Sequence, residues 1–288
     1  MLGPEGTGMV RRFGIVSRYR DHLARFRFGF YEIKDVGGAW HDPVPDTIPM
    51  VSCFGDNRVA RAHPDWVQMG PGGMRATRDA PYFDWAALCP TRPEVRTMAL
   101  DWLAKSRPGP LGLRLDDVTY ARDHFCQCPV CTAEAGRRGV SLERLHQQIL
   151  AEFVASVRAR IPGPCYFTCY PDPYPGHLER RYGLDLEALA PHVDAWVVPI
   201  YDLAYSTTYW LEVLASAWRD RVAGTLLIEL YGLKVPESAL AKAIRVASAY
   251  ADGVVIAYAS DLDQLVRLAT QFASEQAVDL TTILSNPL

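Results

Sequence analysis

Two kinds of chemically reactive residue lie close together between Pro110 and Cys131. A short apolar run, Leu111 to Leu115, ends at two adjacent carboxylates, Asp116 and Asp117. Three cysteines follow within six positions, namely Cys126, Cys128 and Cys131. Core packing alone does not require a buried strand to stop at an acid and lead into a thiol cluster. The stretch therefore predicts a catalytic acid at the mouth of a β/α barrel, with a structural metal site behind it.

A second acid, Glu229, lies at the end of another apolar run, residues 225–230. Alternate residues of a strand share a face, which places Asp117 on the face of Leu113 and Leu115. Glycoside hydrolysis needs two carboxyl groups beside one bond, about 5–5.5 Å apart in retaining enzymes and about 6.5–9.5 Å apart in inverting ones. We therefore interpret Asp117 and Glu229 as the catalytic pair. The alternative is that each acid caps a helix or pairs with an arginine.

The acid of such a pair needs a raised pKa, and repulsion from the neighbouring carboxylate of Asp116 would supply one. Other polar and aromatic residues recur at the ends of apolar runs or in the long loop between residues 55 and 89. Carboxylates can accept hydrogen bonds from sugar hydroxyls, and aromatic rings can cover the apolar face of a pyranose. The predicted substrate-binding residues are Glu32, Trp66, Asp116, Tyr201, Asp202, Tyr231 and Tyr258.

The cysteine spacing is typical of a metal site. A closed tetrahedral zinc site takes four ligands, and Cys89 is the best fourth partner for Cys126, Cys128 and Cys131. His124 is an alternative ligand. A site that contains only thiolates has no open position, so the predicted zinc is structural and does not activate water. The remaining cysteines, Cys53, Cys165 and Cys169, lie in apolar runs and are predicted to be core residues.

Composition narrows the class of protein. The 288 residues are 49% hydrophobic and 22% charged, with a net charge of −3 and a pI of about 6.2. This charge argues against a nucleic-acid partner, because such proteins concentrate lysine and arginine. No apolar run approaches the ~20 residues that span a bilayer, and the N-terminus lacks the layout of a signal peptide. We expect a cytoplasmic protein with a single domain over residues 1–288, and the oligomeric state, including a homo-oligomer, stays open.

Short apolar runs alternate with amphipathic helical patterns along the chain, which predicts parallel strands joined by right-handed crossovers. Seven runs are evident, at residues 28–33, 48–53, 111–115, 165–170, 195–201, 225–230 and 253–258. Residues 91–94 form a capping-box pattern before one helix. Acids and aromatics at many strand ends favour a (β/α)8 TIM barrel, in the α/β class, over a doubly wound sheet. The first strand, within residues 13–26, is expected to be short and irregular; alternatively, the barrel is incomplete there.

The sequence Cys89-Pro90, the helix start Pro93-Glu94-Val95-Arg96, the strand that ends in acids and the motif CQCPVC together resemble the catalytic barrel of family 42 β-galactosidases. The resemblance implies a zinc at the four cysteines, with Asp117 as acid/base and Glu229 as nucleophile, but not the identity of the substrate. The leading hypothesis is a retaining glycoside hydrolase that acts on a small β-linked glycoside. The family has Asn-Glu where this chain has Asp116-Asp117, and the chain has no room for the family's additional domains. Two alternatives remain: an inverting glycosidase, and a carbohydrate-binding barrel with impaired catalysis.

Overall fold

The computed structural model of the chain describes residues 12–122, 124–259 and 261–285, with side chains in the last helix described as far as residue 274. Eight parallel strands form a closed barrel in chain order, which confirms the predicted (β/α)8 fold. The strands are β1 Arg12–Ser17, β2 Gly29–Lys34, β3 Ile48–Ser52, β4 Leu113–Asp116, β5 Cys165–Thr168, β6 Ala195–Pro199, β7 Thr225–Tyr231 and β8 Gly253–Ala257. Each of the seven apolar runs identified in the sequence overlaps one of these strands, and β2, β4 and β7 extend one residue beyond their runs.

The eighth strand is β1, so the alternative of an incomplete barrel is wrong. The expectation of a short first strand is also wrong, because β1 has six residues and is longer than β4 and β5. Strand β1 pairs with β8 in parallel, with Gly14 opposite Val255. A Cβ atom on Gly14 would lie 2.5 Å from the ring of Phe28 and 3.0 Å from its carbonyl oxygen, so a glycine is needed at this close approach. This crowding explains why the first strand has a weak sequence signal: the position has no side chain to form a strand pattern.

Helices follow most of the strands. Within the described residues their bounds are α1 Arg20–Leu23, α2 Asn57–Ala62, α3 Pro93–Lys105, α4 Pro129–Arg138, α5 Leu142–Arg158, α6 His177–Tyr182, α7 Leu186–Leu189, α8 Tyr209–Arg221, α9 Glu237–Ser248 and α10 Leu262–Ser285. The hydroxyl of Ser141 caps α5 by accepting a hydrogen bond from the Arg144 amide at 3.2 Å. Among the described residues, no helix is both long enough and apolar enough to cross a membrane.

The capping box predicted at residues 91–94 is wrong. Helix α3 begins at Pro93, and no side chain caps its N-terminus. The hydroxyl of Thr91 instead lies 2.7 Å from the hydroxyl of Tyr120 and 3.1 Å from Sγ of Cys131. The Thr91 hydroxyl therefore makes tertiary contacts near the cysteines and does not form the helix cap that the local sequence had predicted.

Contacts within the chain group it into two compact units. The first comprises the described residues up to Phe30 together with those from Trp196 onward, and the second is Tyr31–Ala195. In the first unit, Ile15, Trp218 and Val255 are buried core residues. In the second, the rings of Phe54 and Phe153 pack with centroids 4.9 Å apart. The single domain over residues 1–288 stays a prediction.

A buried ion pair lies at the start of the loop after β3. Lys34, in β2, and Asp56, before α2, are each only 2% exposed, and Nζ lies 3.0 Å from Oδ2. The ammonium also donates to the carbonyl of Gly55 at 3.1 Å and lies 4.3 Å from the ring centroid of Trp102. The other carboxylate oxygen of Asp56 accepts the amide of Val59 at 2.7 Å, so both charges are well partnered.

We expect Lys34→Met to lower the free energy of unfolding by about 3–5 kcal/mol, because it leaves Asp56 buried with no cation. Urea denaturation measures this loss. The matched control is Arg25→Met, which removes the exposed Arg25–Asp263 ion pair and should cost less than about 1 kcal/mol. Equal stability losses in the two variants would mean that Asp56 tolerates the loss of its buried cation.

Candidate active site and metal centre

Asp117 lies immediately beyond the end of β4. Its backbone φ is +52°, in the left-handed region, so the chain turns at this residue and does not extend the strand as the sequence prediction had it. Ser52 ends the neighbouring strand β3 and pairs with Asp116. The Ser52 hydroxyl lies 2.6 Å from Oδ2 of Asp117. The turn and this hydrogen bond, and not strand alternation, set the position of the Asp117 carboxyl group.

Gly55 makes room for this hydrogen bond. A Cβ atom there would lie 2.8 Å from Oδ2 of Asp117 and 2.9 Å from Oγ of Ser52. The Ser52 hydroxyl also lies 2.8 Å from the Gly55 carbonyl oxygen. A hydroxyl carries one proton and two lone pairs. Ser52 can therefore donate to an ionised Asp117, or accept from a protonated Asp117 while it donates to Gly55, so it suits both states of the acid.

The pKa of Asp117 is raised to about 7, mainly because burial disfavours the charged carboxylate. Repulsion from Asp116 raises the pKa further, while the Ser52 hydrogen bond and the cations of Lys34 and Arg114 lower it. The raised pKa that the sequence analysis required is present, although burial contributes more than the neighbouring carboxylate. A carboxyl group that titrates near neutral pH can serve as a general acid and as a general base.

The Asp117 carboxyl group lines a cavity in the second unit. The cavity has a volume of about 150 Å³, the size of a cavity that accommodates a benzene molecule. Its lining is aromatic on several sides and includes two arginines. The lining residues are Phe54, Gly55, Tyr82, Phe83, Asp84, Trp85, Ala87, Asp117, Thr119, Ala121, Arg122, Tyr170, Arg181 and Tyr182. The cavity can therefore hold one six-membered ring against aromatic faces, with a titratable carboxyl group beside it.

In the first unit, Glu229 lies in β7 and is 2% exposed. The hydroxyl of Tyr201, which follows β6, donates a hydrogen bond to Oε1 of Glu229. The rings of Tyr201, Tyr231 and Tyr258 form a cluster with centroids 5.5–6.4 Å apart. The structure thus brings together four residues that the sequence analysis had selected separately: a carboxylate and three aromatic rings.

Tyr205 is a positioning residue in this unit that the sequence analysis missed. It is buried, and its hydroxyl donates to the carbonyl of Ile200 at 3.0 Å and accepts the amide of Tyr231 at 2.8 Å. Asp202 organises the same loop, because its Oδ1 accepts the amides of Ala204 and Tyr205 at 2.8 and 3.0 Å. One oxygen of Asp202 is therefore engaged in loop structure, and its role with substrate stays a prediction.

The remaining predicted sugar-binding residues belong to the second unit but do not line the cavity. Glu32 is buried in β2, and Asp116 is half-buried at the end of β4. Trp66 lies in a short 3₁₀ turn, with its ring stacked on that of His63 at a centroid distance of 4.0 Å. Their roles in substrate binding stay predictions.

The four cysteines predicted as metal ligands form one buried cluster. The Sγ atoms of Cys89, Cys126, Cys128 and Cys131 all lie within 4.8 Å of one another. Cys89 is 3.7 Å from Cys128 and 3.5 Å from Cys131, measured between Sγ atoms. A tetrahedral ion with Zn–S bonds of about 2.3 Å would place its sulfur ligands about 3.8 Å apart. The cluster can therefore hold a metal ion.

Cys89 is the fourth member, as predicted. His124, the alternative ligand, does not belong to the cluster found among the described residues. The other cysteines, Cys53, Cys165 and Cys169, are buried in the core as expected, and burial raises the pKa of Cys165 to about 12.

Polar groups surround the cysteine cluster. The amide of Met69 donates to Sγ of Cys126 at 3.2 Å. The ring of His146, in α5, stacks on Tyr120 at a centroid distance of 3.7 Å, and its Nε2 lies 3.2 Å from the carbonyl of Cys126. Burial lowers the pKa of His146 to about 4, so the imidazole is neutral at physiological pH. The cluster thus joins three segments, around residues 69, 89 and 126–131, to α5.

The fold has structural counterparts, although no known family model and no curated protein sequence matches the chain. The glycoside hydrolase domain of PgaB (BpsB) from Bordetella bronchiseptica aligns with 93% of this chain and 98% of its own length, at 12% identity and a TM-score of 0.63. Alpha-L-fucosidase isoenzyme 2 from Paenibacillus thiaminolyticus aligns with 94% of this chain at 10% identity and a TM-score of 0.65. The chain spans half the length of that fucosidase. At these identities the likeness establishes the barrel fold, and the resemblance to family 42 stays a prediction.

Proposed function

We propose that the protein is a retaining glycoside hydrolase that acts on a small β-linked glycoside. One observation carries the proposal: a carboxyl group with a pKa of about 7, that of Asp117, lines an aromatic cavity the size of a single ring, just beyond the end of a barrel strand. Enzymes with this fold take their catalytic residues from the carboxyl ends of several strands. The likeness to two glycosidase barrels supports the same class of reaction.

In the proposed reaction, protonated Asp117 gives its proton to the glycosidic oxygen while a carboxylate oxygen of Glu229 attacks the anomeric carbon. The bond to the leaving alcohol breaks, and a covalent glycosyl–enzyme ester forms. Ionised Asp117 then takes a proton from water, which attacks the anomeric carbon and releases Glu229. The hydrogen bond from Tyr201 supports the Glu229 assignment, because it orients the carboxylate. The Ser52 hydroxyl suits Asp117 in both of its protonation states.

We propose further that the cysteine cluster holds one structural zinc ion. Four buried thiols at mutual distances close to those of a tetrahedral site support this assignment. The ion would supply no catalytic chemistry, because four protein ligands leave no position for water. Its proposed role is to hold together the segments that carry Cys89 and Cys126.

A panel of 4-nitrophenyl β-glycosides, assayed with the wild type and with Glu229→Gln, tests the proposed activity. We expect turnover by the wild type, with the β-anomer as the first product by NMR, and little or no turnover by the variant. The α-anomer as first product would show that the enzyme is an inverting and not a retaining hydrolase. Equal turnover by both proteins would end the assignment of Glu229. Stabilisation by sugars with no product from any substrate would favour a carbohydrate-binding barrel.

We expect Ser52→Ala to move the basic limb of the pH profile upward. The Ser52 hydrogen bond lowers the pKa of Asp117, so its removal should raise that pKa by about one unit. Because the proton donor is the protonated form, kcat/KM of the wild type should fall as the pH rises through about 7, and that of the variant should fall at higher pH. A pH series of kcat/KM measures the shift.

The matched control is Ser248→Ala, which removes another buried hydroxyl, one that donates to the carbonyl of Arg245. Its pH profile should coincide with that of the wild type. A Ser52→Ala profile with an unmoved limb would contradict the coupling between Ser52 and Asp117.

A further inference from the structure

Arg122 is a cavity-lining residue that the proposed reaction does not use. It lies in the loop after β4 and is half-buried. Its guanidinium carbon is 4.4 Å from the ring centroid of Tyr82, an exposed residue that also lines the cavity. In the part of the chain that the structure describes, this guanidinium contacts the Tyr82 ring, and no carboxylate or carbonyl is hydrogen-bonded to it. Arg122 thus presents a positive charge at the cavity, and none of the described acids is hydrogen-bonded to its guanidinium.

The other arginine of the cavity differs in this respect. Nη1 of Arg181 lies 3.0 Å from Oδ2 of Asp172, so that cation has a partner within the fold. The two carboxyl groups of the lining do not pair with Arg122 either: Asp84 is exposed, and Asp117 is hydrogen-bonded to Ser52 and is neutral below its pKa of about 7. Below that pH, the positive charge of Arg122 favours a negative group on whatever occupies the cavity.

The backbone before Arg122 is fixed by Gln68, which is fully buried. Its side-chain oxygen accepts the amide of Ala121 at 2.9 Å, and its side-chain nitrogen donates to the carbonyls of Leu88 and Thr119 at 3.0 and 3.4 Å. The carbonyl of Arg122 itself accepts the amide of Phe125 at 3.0 Å. The base of the side chain is therefore held in place before any ligand binds, which lowers the entropy cost of binding.

We propose that Arg122 binds the carboxylate of an acidic sugar, so that the preferred substrates are β-linked uronides. The planar guanidinium fork matches a carboxylate with two parallel hydrogen bonds. The cavity supplies aromatic faces for the sugar ring and Arg122 supplies the counter-charge. The substrate class rests on the proposed glycosidase function, whereas the preference for an acidic ligand is a binding property that can be measured without turnover.

Isothermal titration calorimetry at pH 6 with D-glucuronic acid and with D-glucose tests the preference, alongside hydrolysis of 4-nitrophenyl β-D-glucuronide and β-D-glucoside. We expect glucuronate to bind about 10- to 100-fold more tightly than glucose. Arg122→Met should remove most of that ratio, and Arg122→Lys, which keeps the charge but not the fork, should remove part of it. The matched control is Arg160→Met, which replaces an exposed arginine two residues beyond the end of α5 and should leave the ratio unchanged.

The two proposals can fail separately. Tighter binding of glucuronate than of glucose, without hydrolysis of either glycoside, would support the role of Arg122 and overturn the proposed glycosidase function. Hydrolysis with equal affinity for glucuronate and glucose, or an unchanged ratio in Arg122→Met, would overturn the role of Arg122 alone. Glucose 6-sulfate is the third ligand in the titration. If it binds more tightly than glucuronate, the group that Arg122 recognises is a sulfate ester and not a carboxylate, and the uronide assignment is overturned.

Discussion

Asp117→Asn should lower kcat/KM, which reports the first bond cleavage, by about 10²- to 10⁴-fold on a β-glycoside whose leaving group is a sugar or a simple alcohol. Asparagine keeps the shape of the side chain but carries no transferable proton. A nitrophenol leaves with little protonation, so the first bond cleavage should suffer much less on a 4-nitrophenyl glycoside. A loss that depends on the leaving group distinguishes removal of an acid from damage to the fold. Steady-state kinetics on a matched pair of substrates measures it.

The matched control is Asp46→Asn, because Asp46 is an exposed aspartate that also has a positive φ, of +59°. Its kinetics should match those of the wild type on both substrates. An Asp117→Asn enzyme whose kcat/KM falls by the same factor on both substrates would contradict the acid role.

Asp117→Asn should also change how the free energy of unfolding depends on pH. The folded-state pKa of Asp117 is raised above its ordinary value, so the folded protein binds this proton more tightly than the unfolded chain does. The free energy of unfolding should therefore fall as the pH rises from about 4 through about 7. In Asp117→Asn this contribution is absent, and the profile over that range should be flatter.

Cys128→Ser should abolish stoichiometric zinc and lower the free energy of unfolding by at least about 4 kcal/mol, because metal binding to a closed thiolate site contributes directly to folding. Elemental analysis of the purified wild type should find about one zinc per chain. Chelation should destabilise the wild type to the level of the variant and leave the variant unaffected. A wild type that is fully folded without metal would contradict the assignment.

Cys165→Ser is the matched control, since it replaces a buried cysteine outside the cluster and should leave the zinc content unchanged.

Loss of the metal should also weaken ligand binding in the cavity. Met69, whose amide donates to Cys126, directly follows Gln68, which holds the backbone before Arg122. On the other side, the ring of Phe125 packs against cavity-lining Phe83 with centroids 5.3 Å apart. Weaker ligand binding in Cys128→Ser should therefore accompany its lower stability.

Much of the candidate site follows from local patterns. Asp117 and Glu229 are recognisable because a charged residue at the end of an apolar run is costly unless it has a partner or a function. The cysteine set is recognisable because three thiols within six positions have the spacing of metal ligands. The strands follow from runs of apolar residues, since each buries both faces in the barrel. These signals depend only on residues near one another in the chain.

Other features depend on residues that are distant in the chain. The contacts of Ser52 and Gly55 with Asp117 join positions more than 60 residues apart. Neither Ser52 nor Gly55 is unusual in its own segment. The same holds for Gln68, whose side chain fixes the backbone beyond Thr119, and for Arg122, whose availability depends on which acids lie within reach. Sequence patterns contain no information about such distances.

The sequence by itself determined the kinds of residue present, the alternation of strands and helices, and the close spacing of Cys126, Cys128 and Cys131, because each of these reflects local periodicity or spacing. Only the tertiary structure decided that the chain turns at Asp117, that burial raises the pKa of its carboxyl group, and that Thr91 contacts Cys131 and does not cap a helix. The physical reason is that burial, electrostatic environment and hydrogen-bond partners are set by segments that meet only when the chain folds.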